Sequence, residues 1–354
     1  MKLFLSCRAV FPAILAALVF TGCPRIEPQG MYFTYSVIQH DGVDALVITG
    51  YRGRSDVVIP AEIGGLPVRR IGPEAFFSRG LTSVYIPCGV YFINDFSFSF
   101  NSLTEVVIPD SVRTIGTYAF RNNHLAKINI PYNVAIGIGV FSGNRLTKVA
   151  IPEGTYNIWH GTFSNNQLPK VVIPCGVTEI WGGAFSHNRL KEVCIPNSVT
   201  YINESAFGNN LLESVILPTQ LSFLSGFNNN LLMDVAIPPT VVHIGSNAFS
   251  GNMLESIDLP CGLTRIRARA FSDNLLTSVV IPASVEEHMG LGRDAFYGNP
   301  LVSITIEKGG RLLWSPSLIP FNNGFEEAFE ASGRLAGTYT RSCAESADWA
   351  LTKP

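Results

Sequence analysis

Metal, redox and acyl-transfer chemistry each require a few side chains at set spacings. The six histidines, His40, His124, His160, His187, His243 and His288, are scattered, and no His-Glu-x-x-His or Cys-x-x-Cys run joins them to a metal. No Gly-x-Ser-x-Gly elbow and no phosphate loop occurs. Gly137-x-Gly139 with Ser142-Gly143 imitates part of a dinucleotide fingerprint but falls inside a shortened repeat turn, and Asn203-Glu204-Ser205 has the form of a glycosylation sequon at a repeat corner. The expectation is a protein that is not an enzyme and takes no cofactor and no metal.

Two features could carry binding chemistry. One is a column of like charges, Lys127, Lys148 and Lys170, bounded by Glu105 and Glu192. The other is the cysteines. Cys88, Cys175 and Cys261 each follow an Ile-Pro or Leu-Pro, while Cys194 and Cys343 stand apart from that pattern. A frame must hold these residues, and the chain repeats itself clearly enough to identify it.

Ile-Pro or Leu-Pro recurs with prolines at 60, 87, 109, 131, 152, 174, 196, 218, 238, 260 and 282, mostly 22 residues apart. A Phe follows each, from Phe76 to Phe296, and an Asn stands eight residues before nine of the prolines, from Asn101 to Asn274. Asn299 keeps the phase in a last, proline-free unit. A period of that length over most of a chain means a solenoid. Each unit reads N-x-L-x-x-V-x-I-P-x-x-V-x-x-I-x-x-x-A-F, as from Asn101 to Phe120. The alternating L-x-x-V-x-I run predicts a short strand with Leu103, Val106 and Ile108 facing the core. Proline ends the strand because it has no N–H for an internal ladder. Val112, Ile115 and Phe120 supply the opposite wall, and the recurring Asn is expected to form a ladder of amides that satisfies backbone groups at the turn.

This unit resembles the leucine-rich repeat of the BspA-like, or Treponema pallidum-type, class, across roughly residues 55 to 306. The resemblance implies an α/β-type repeat solenoid, a right-handed coil with a long parallel concave β-sheet, of about eleven repeats. Residues 31–58 form an N-terminal β cap, 59–306 the solenoid and 307–354 a C-terminal cap, in which Phe325 to Phe329 reads as a short helix and Gly337 to Thr340 as part of a hairpin. Caps are needed physically, since an open coil exposes its core and strand edges.

A longer period lies over the short one. Cys88, Cys175 and Cys261 are four repeats apart, Ser111-Val112, Ser198-Val199 and Ser284-Val285 follow them, and the third units are short, with Pro131 to Phe141 and Pro218 to Phe227 spanning fewer residues than usual. A block of four repeats has been duplicated. Cysteines four coils apart lie about 19 Å from one another at the ~4.8 Å strand spacing, too far for a disulfide.

Residues two before each proline should point outward from the concave strands: Tyr85, Val107, Asn129, Ala150, Val172, Cys194, Ile216, Ala236, Asp258 and Val280. The column is largely apolar, which marks either an interaction surface or the plain fit of β-branched residues to a pleated sheet. Tyr85, Val107, Lys127, Lys148, Lys170, Val172, Cys194 and Ile216 are the candidate binding face. Of 354 residues only 15% are charged, and 25 basic side chains nearly balance 27 acidic ones, which argues against a nucleic-acid partner.

The first residues are a targeting segment. Lys2 and Arg8 precede an apolar run from Ala9 to Phe20, too short to span a bilayer and suited to a secretory signal over residues 1–22. Phe20-Thr21-Gly22-Cys23 resembles the lipobox of bacterial lipoproteins, with Phe20 in place of the usual Leu; the alternative is a signal cut elsewhere. The lipobox resemblance implies that Cys23 is lipidated, that residues 23–30 form a tether, and that the membrane is a partner through the lipid. The repeat class implies an adhesin-like protein at the cell surface, binding host matrix or cell-surface proteins or other bacteria. A periplasm-facing structural or assembly lipoprotein is the alternative. The sequence sets no oligomeric state.

Overall fold

The computed structural model describes residues 32–285, 290–308, 320–321 and 323–352. The signal, the tether and Cys23 lie outside the described residues. The chain opens with the hairpin β1 (Phe33–His40) and β2 (Val43–Tyr51), followed by β3 (Asp56–Val58), β4 (Glu62–Ile63) and β5 (Leu66–Ile71). Next come β6 (Ser83–Tyr85), β7 (Phe92–Ile93), β8 (Thr114–Ile115), β9 (Ala135–Ile136), β10 (Asn157–Ile158), β11 (Glu179–Ile180) and β12 (Glu192–Cys194). β13 (Tyr201–Ile202), β14 (Ser214–Ile216), β15 (Phe223–Leu224), β16 (His243–Ile244), β17 (Arg265–Ile266), β18 (Ser278–Ile281) and β19 (Ser303–Ile306) continue the coils. Helix α1 (Phe325–Ala331) and strands β20 (Gly337–Thr340) and β21 (Ala350–Thr352) close them. The molecule is a β-solenoid, and among the described residues its helix lies in the closing unit.

Three features register one coil on the next. The first is the asparagine ladder. Asn101 Oδ1 accepts the N–H of Leu81 at 2.9 Å, and its Nδ2 donates to the carbonyls of Phe76 at 2.8 Å and Phe98 at 2.9 Å. Asn123, Asn144, Asn166, Asn188, Asn210, Asn230, Asn252 and Asn274 repeat this arrangement, and all are buried. Each amide thereby satisfies polar backbone groups that water cannot reach.

The second is a column of phenylalanines. Eleven rings from Phe76 to Phe296 are fully buried, each stacked on the next. Ring centroids are 4.9 Å apart between Phe76 and Phe98, and 6.0 Å apart on both sides of Phe141. Burying each ring contributes about 1.5–3 kcal/mol, so the column is a large share of what stabilises the coil. It continues into both ends. Tyr51 packs on Phe76 at 5.4 Å, and Phe321 stacks on Phe296 at 5.3 Å and meets Phe325 of α1 edge-on.

The third is the set of backbone ladders, whose distribution differs from the expectation. On the concave segments, parallel pairs form between β3 and β6, β12 and β14, and β18 and β19. The longer ladders run on the wall after each proline. There β7, β8 and β9 extend the sheet of β1, β2 and β5, while β10, β11, β13, β15, β16 and β17 form a second sheet. The concave segment has only a few residues between its asparagine turn and a proline that cannot donate, so many coils meet there through isolated bonds, such as Ala126 N–H to Thr104 O at 3.3 Å. The other wall is set by a turn in which the residue three after the proline donates to the proline carbonyl, as Val112 does to Pro109 at 3.0 Å.

Candidate functional site

The outward column follows from the two-residue period of an extended segment. With Val106 and Ile108 buried, Val107 between them must face solvent, and it does. All ten positions of the column are exposed, Val172 at 78% and Ile216 at 67%. Valine and isoleucine left that open are apolar surface without an internal role. Cys194 pairs in register with Ile216 across β12 and β14, and Val172 precedes them by one coil. These three form one patch. Tyr85 and Val107 form another toward the start of the stack, separated from it by Asn129 and Ala150.

Asn129 belongs to the frame rather than to a ligand surface. Its Oδ1 accepts the Ile108 N–H at 3.0 Å and its Nδ2 donates to the Ile108 carbonyl at 2.9 Å, replacing a backbone ladder that the strands do not form there. A polar residue in a largely apolar column, a distinction it shares with Asp258, was the available signal for this role.

Lys127, Lys148 and Lys170 are exposed on three successive coils, with Glu105 and Glu192 exposed on the coils beyond them. None of the three lysines is held in an ion pair among the described residues. Like charges at neighbouring coil positions repel by about 1 kcal/mol per close pair in water, so the stripe is not there for folding. Lys170 and Val172 lie two residues apart on one segment, which joins the basic stripe to the apolar patch. The arrangement can hold a surface that is acidic along one edge and apolar along the other.

The five described cysteines, Cys88, Cys175, Cys194, Cys261 and Cys343, are exposed and form no disulfide among the described residues, and the coil spacing keeps the three that repeat from pairing with one another. Among the described residues no group of three or more His, Cys, Asp or Glu is placed to hold a metal ion. No described helix is long and apolar enough to cross a membrane.

The strongest burial effects on titration lie at the two ends. Burial raises the phenol of Tyr51 above its ordinary 10.0, with smaller opposing contributions from Arg54 and a raising one from Asp56. Burial also raises Tyr339, whose hydroxyl donates to the Leu335 carbonyl at 2.7 Å and lies 2.7 Å from Ser332 Oγ. Arg341 is lowered by burial; its Nε donates to Leu301 O and its guanidinium covers the ring of Trp349 at 4.7 Å. Arg341 thereby ties the closing unit to the last coil at Leu301.

The model of the BspA type leucine rich repeat region matches residues 69–191 and 180–303, together more than half of the chain. Among solved structures, a leucine-rich repeat protein from Bacteroides ovatus aligns over 82% of this chain and 91% of its own, with 18% identity and a TM-score of 0.52. The pneumococcal vaccine antigen PcpA aligns over 79% of this chain and 81% of its own, with 20% identity and a TM-score of 0.53. At such identities the likeness is one of fold. No curated protein matches the sequence.

Proposed function

The chain belongs to the family of BspA-type leucine-rich repeat proteins, and on that premise we propose that it is a non-enzymatic, protein-binding solenoid of the bacterial cell surface. It is held to the membrane by a lipid on Cys23 and acts as an adhesin, receiving host matrix or cell-surface proteins, or other bacteria, on its concave strands. The observation that carries this reading is the exposed apolar column, open at Val172, Cys194 and Ile216 and bordered by Lys127, Lys148 and Lys170. A basic stripe beside an apolar patch favours an acidic protein partner, with the charges steering the encounter and the apolar area holding it.

Two experiments test the reading. Protease and antibody applied to intact cells should reach residues 31–354, and complete protection would replace the adhesin by a periplasm-facing assembly role. The purified solenoid should then bind matrix-protein coats in a salt-sensitive way by surface plasmon resonance. The Lys127→Glu/Lys148→Glu/Lys170→Glu variant should lose about tenfold or more in affinity while its circular dichroism is unchanged. Equal binding by that variant would remove the stripe from the account. Cys23→Ala should abolish palmitate incorporation.

A further inference from the structure

Among the described residues, the paired wall that follows the prolines breaks between β9 and β10. β9 ends one sheet and β10 begins the other, and the two do not pair. The cause lies in the sequence of the coil that starts at Pro131. The coils on either side place two residues between the position three after the proline and the isoleucine that follows, as in Val112 to Ile115 and Val177 to Ile180. Here only Ala135 separates Val134 from Ile136. The turn bond made by Val112, Val177 and Val241 to the proline three residues back is absent from this coil, and Asn133 adopts a left-handed backbone with φ 62°. On the facing coil, Thr155 takes the place of the valine.

The core is open there as a result. Val112, Ile115, Val177 and Ile180 are wholly buried, whereas Val134, Ile136, Ile151 and Thr155 are only half-buried. Between the two coils lies a cleft of about 360 Å³, whose walls also include Trp159 and Phe163. Tyr156, 70% exposed, stands at its mouth. The coils remain joined on the far side. Gly139 N–H donates to His160 O at 2.8 Å, Phe141 N–H donates to Thr162 O at 3.0 Å, and the rings of Phe141 and Phe163 stack. The gap is therefore a wedge, open on one wall.

Both lips of the wedge are strand edges. Ala135 and Gly137 donate away from it, to Arg113 O at 2.9 Å and Ile115 O at 2.8 Å, so the peptide groups of Val134 and Ile136 point into it. On the other side Thr178 and Trp181 donate to the carbonyls of Tyr156 at 2.8 Å and Ile158 at 2.9 Å, so the peptide group of Asn157 and the N–H of Trp159 point back into it, while the Trp159 carbonyl accepts from Thr162 within its own coil. Among the described residues no backbone hydrogen bond joins the two lips. The wedge thus combines an apolar hole with strand-spaced donors and acceptors, and none of its lining side chains carries a charge. Strand-spaced peptide groups match another peptide backbone, and the uncharged lining selects a neutral segment.

We propose that this fissure is a second binding site, which takes a neutral, extended peptide segment of a partner protein. The segment adds its backbone to a lip and seats one aliphatic or aromatic side chain in the hole. The site uses no residue of the concave face, so it stands or falls separately from the adhesin reading.

The test uses the full chain and the N-acetylated, C-amidated tripeptides Val-Phe-Val, Val-Leu-Val and Val-Trp-Val, followed by residue-resolved hydrogen exchange. In the free protein the amides of Asn157 and Trp159 should exchange faster than those of Thr178 and Trp181. A saturating tripeptide should slow them about tenfold or more. Val-Phe-Val with an N-methylated central amide should protect them less, Thr155→Phe should fill the hole and abolish protection, and the triple lysine variant should respond as the wild type does. The proposal is overturned if none of the three tripeptides protects these amides, if the N-methylated peptide protects them equally, or if they are already as slow as Thr178 and Trp181 in the free protein. The wild-type measurements decide the matter even if Thr155→Phe fails to fold.

Discussion

Residues 88–174 and 175–260 are two copies of one four-coil block, and they differ in the features that could meet a partner. Their frames agree: the same asparagine ladder, the same stacked phenylalanines, a cysteine at the same corner. The lysines of the first copy are replaced by Ser214, Asp234 and Ser256 in the second. The fissure between β9 and β10 is closed in the second copy, where β15 pairs with β16 through Phe223–His243 and Leu224–Ile244. Both copies contain a shortened third coil, so shortening alone does not open the wall. In the second copy the loss falls after Leu224, which is three residues from Phe227 where Ile115 is five from Phe120. The proline turn survives there, Leu221 N–H bonding Pro218 O at 3.3 Å. In the first copy the loss falls directly after the turn, between Val134 and Ile136, and the turn bond is not made. A repeat protein can therefore diverge in function by changing outward residues, or by moving a deletion a few positions along an unchanged coil.

The comparison can be broken at its largest effect, the shared frame. Asn166→Ala and Asn252→Ala each strand a leucine N–H and two phenylalanine carbonyls at matching places. Each should cost about 3–5 kcal/mol in urea unfolding, and the two costs should agree to within about 1 kcal/mol. A large inequality would mean that the blocks do not share one frame.

Exchanging the charges comes next. Ser214→Lys/Asp234→Lys/Ser256→Lys in the triple glutamate background should restore most of the roughly tenfold affinity lost, if charge and not position selects the partner. Continued weak binding would localise recognition to the first block.

Smaller effects belong to the turn position three after the proline. Val241→Thr buries a hydroxyl in the second block and should cost about 1–2 kcal/mol. Thr155→Val in the first block should change stability by less than about 1 kcal/mol, since that lip is already half open. Equal and opposite changes would show that the fissure is shut in solution.

The smallest expected effect separates both blocks from the ends. The raised phenols of Tyr51 and Tyr339 have folded values above the unfolded 10.0, so their contribution is complete below pH 10 and declines as pH climbs through the folded values. Amide exchange in β20 should therefore accelerate above pH 10 before that in β11, and Tyr339→Phe should remove the difference.

Much of this was legible in the amino-acid sequence because the frame demands one residue type per position. Asn recurs where amides must both donate and accept, and Phe where one ring stacks on the next. Proline marks where each strand ends. The outward column was legible for the same reason, since a buried Val106 and Ile108 leave Val107 one direction. The closing unit followed from its pattern, with α1 and β20 where a short helix and a hairpin were expected. The distribution of the ladders was not legible, because segments this short pair according to a few backbone bonds that side-chain type does not encode. The short coil after Pro131 was visible as a length. Its consequence depended on the lost residue falling between Val134 and Ile136, and that only becomes physical once the turn bond and the facing Thr155 are seen together.

The wedge also gives the stack a mechanical weak point. A column of coils under tension or bending shares the load among its junctions, and each junction resists through the bonds that cross it. At the fissure one wall contributes none, and the phenylalanine column is at its widest spacing around Phe141. Pulling on the ends should part the molecule there first, into a front portion carrying the hairpin of β1 and β2 and a rear portion carrying α1. The far-side bonds of Gly139 and Phe141 would serve as the hinge, and a peptide lodged between the lips would act as a splint.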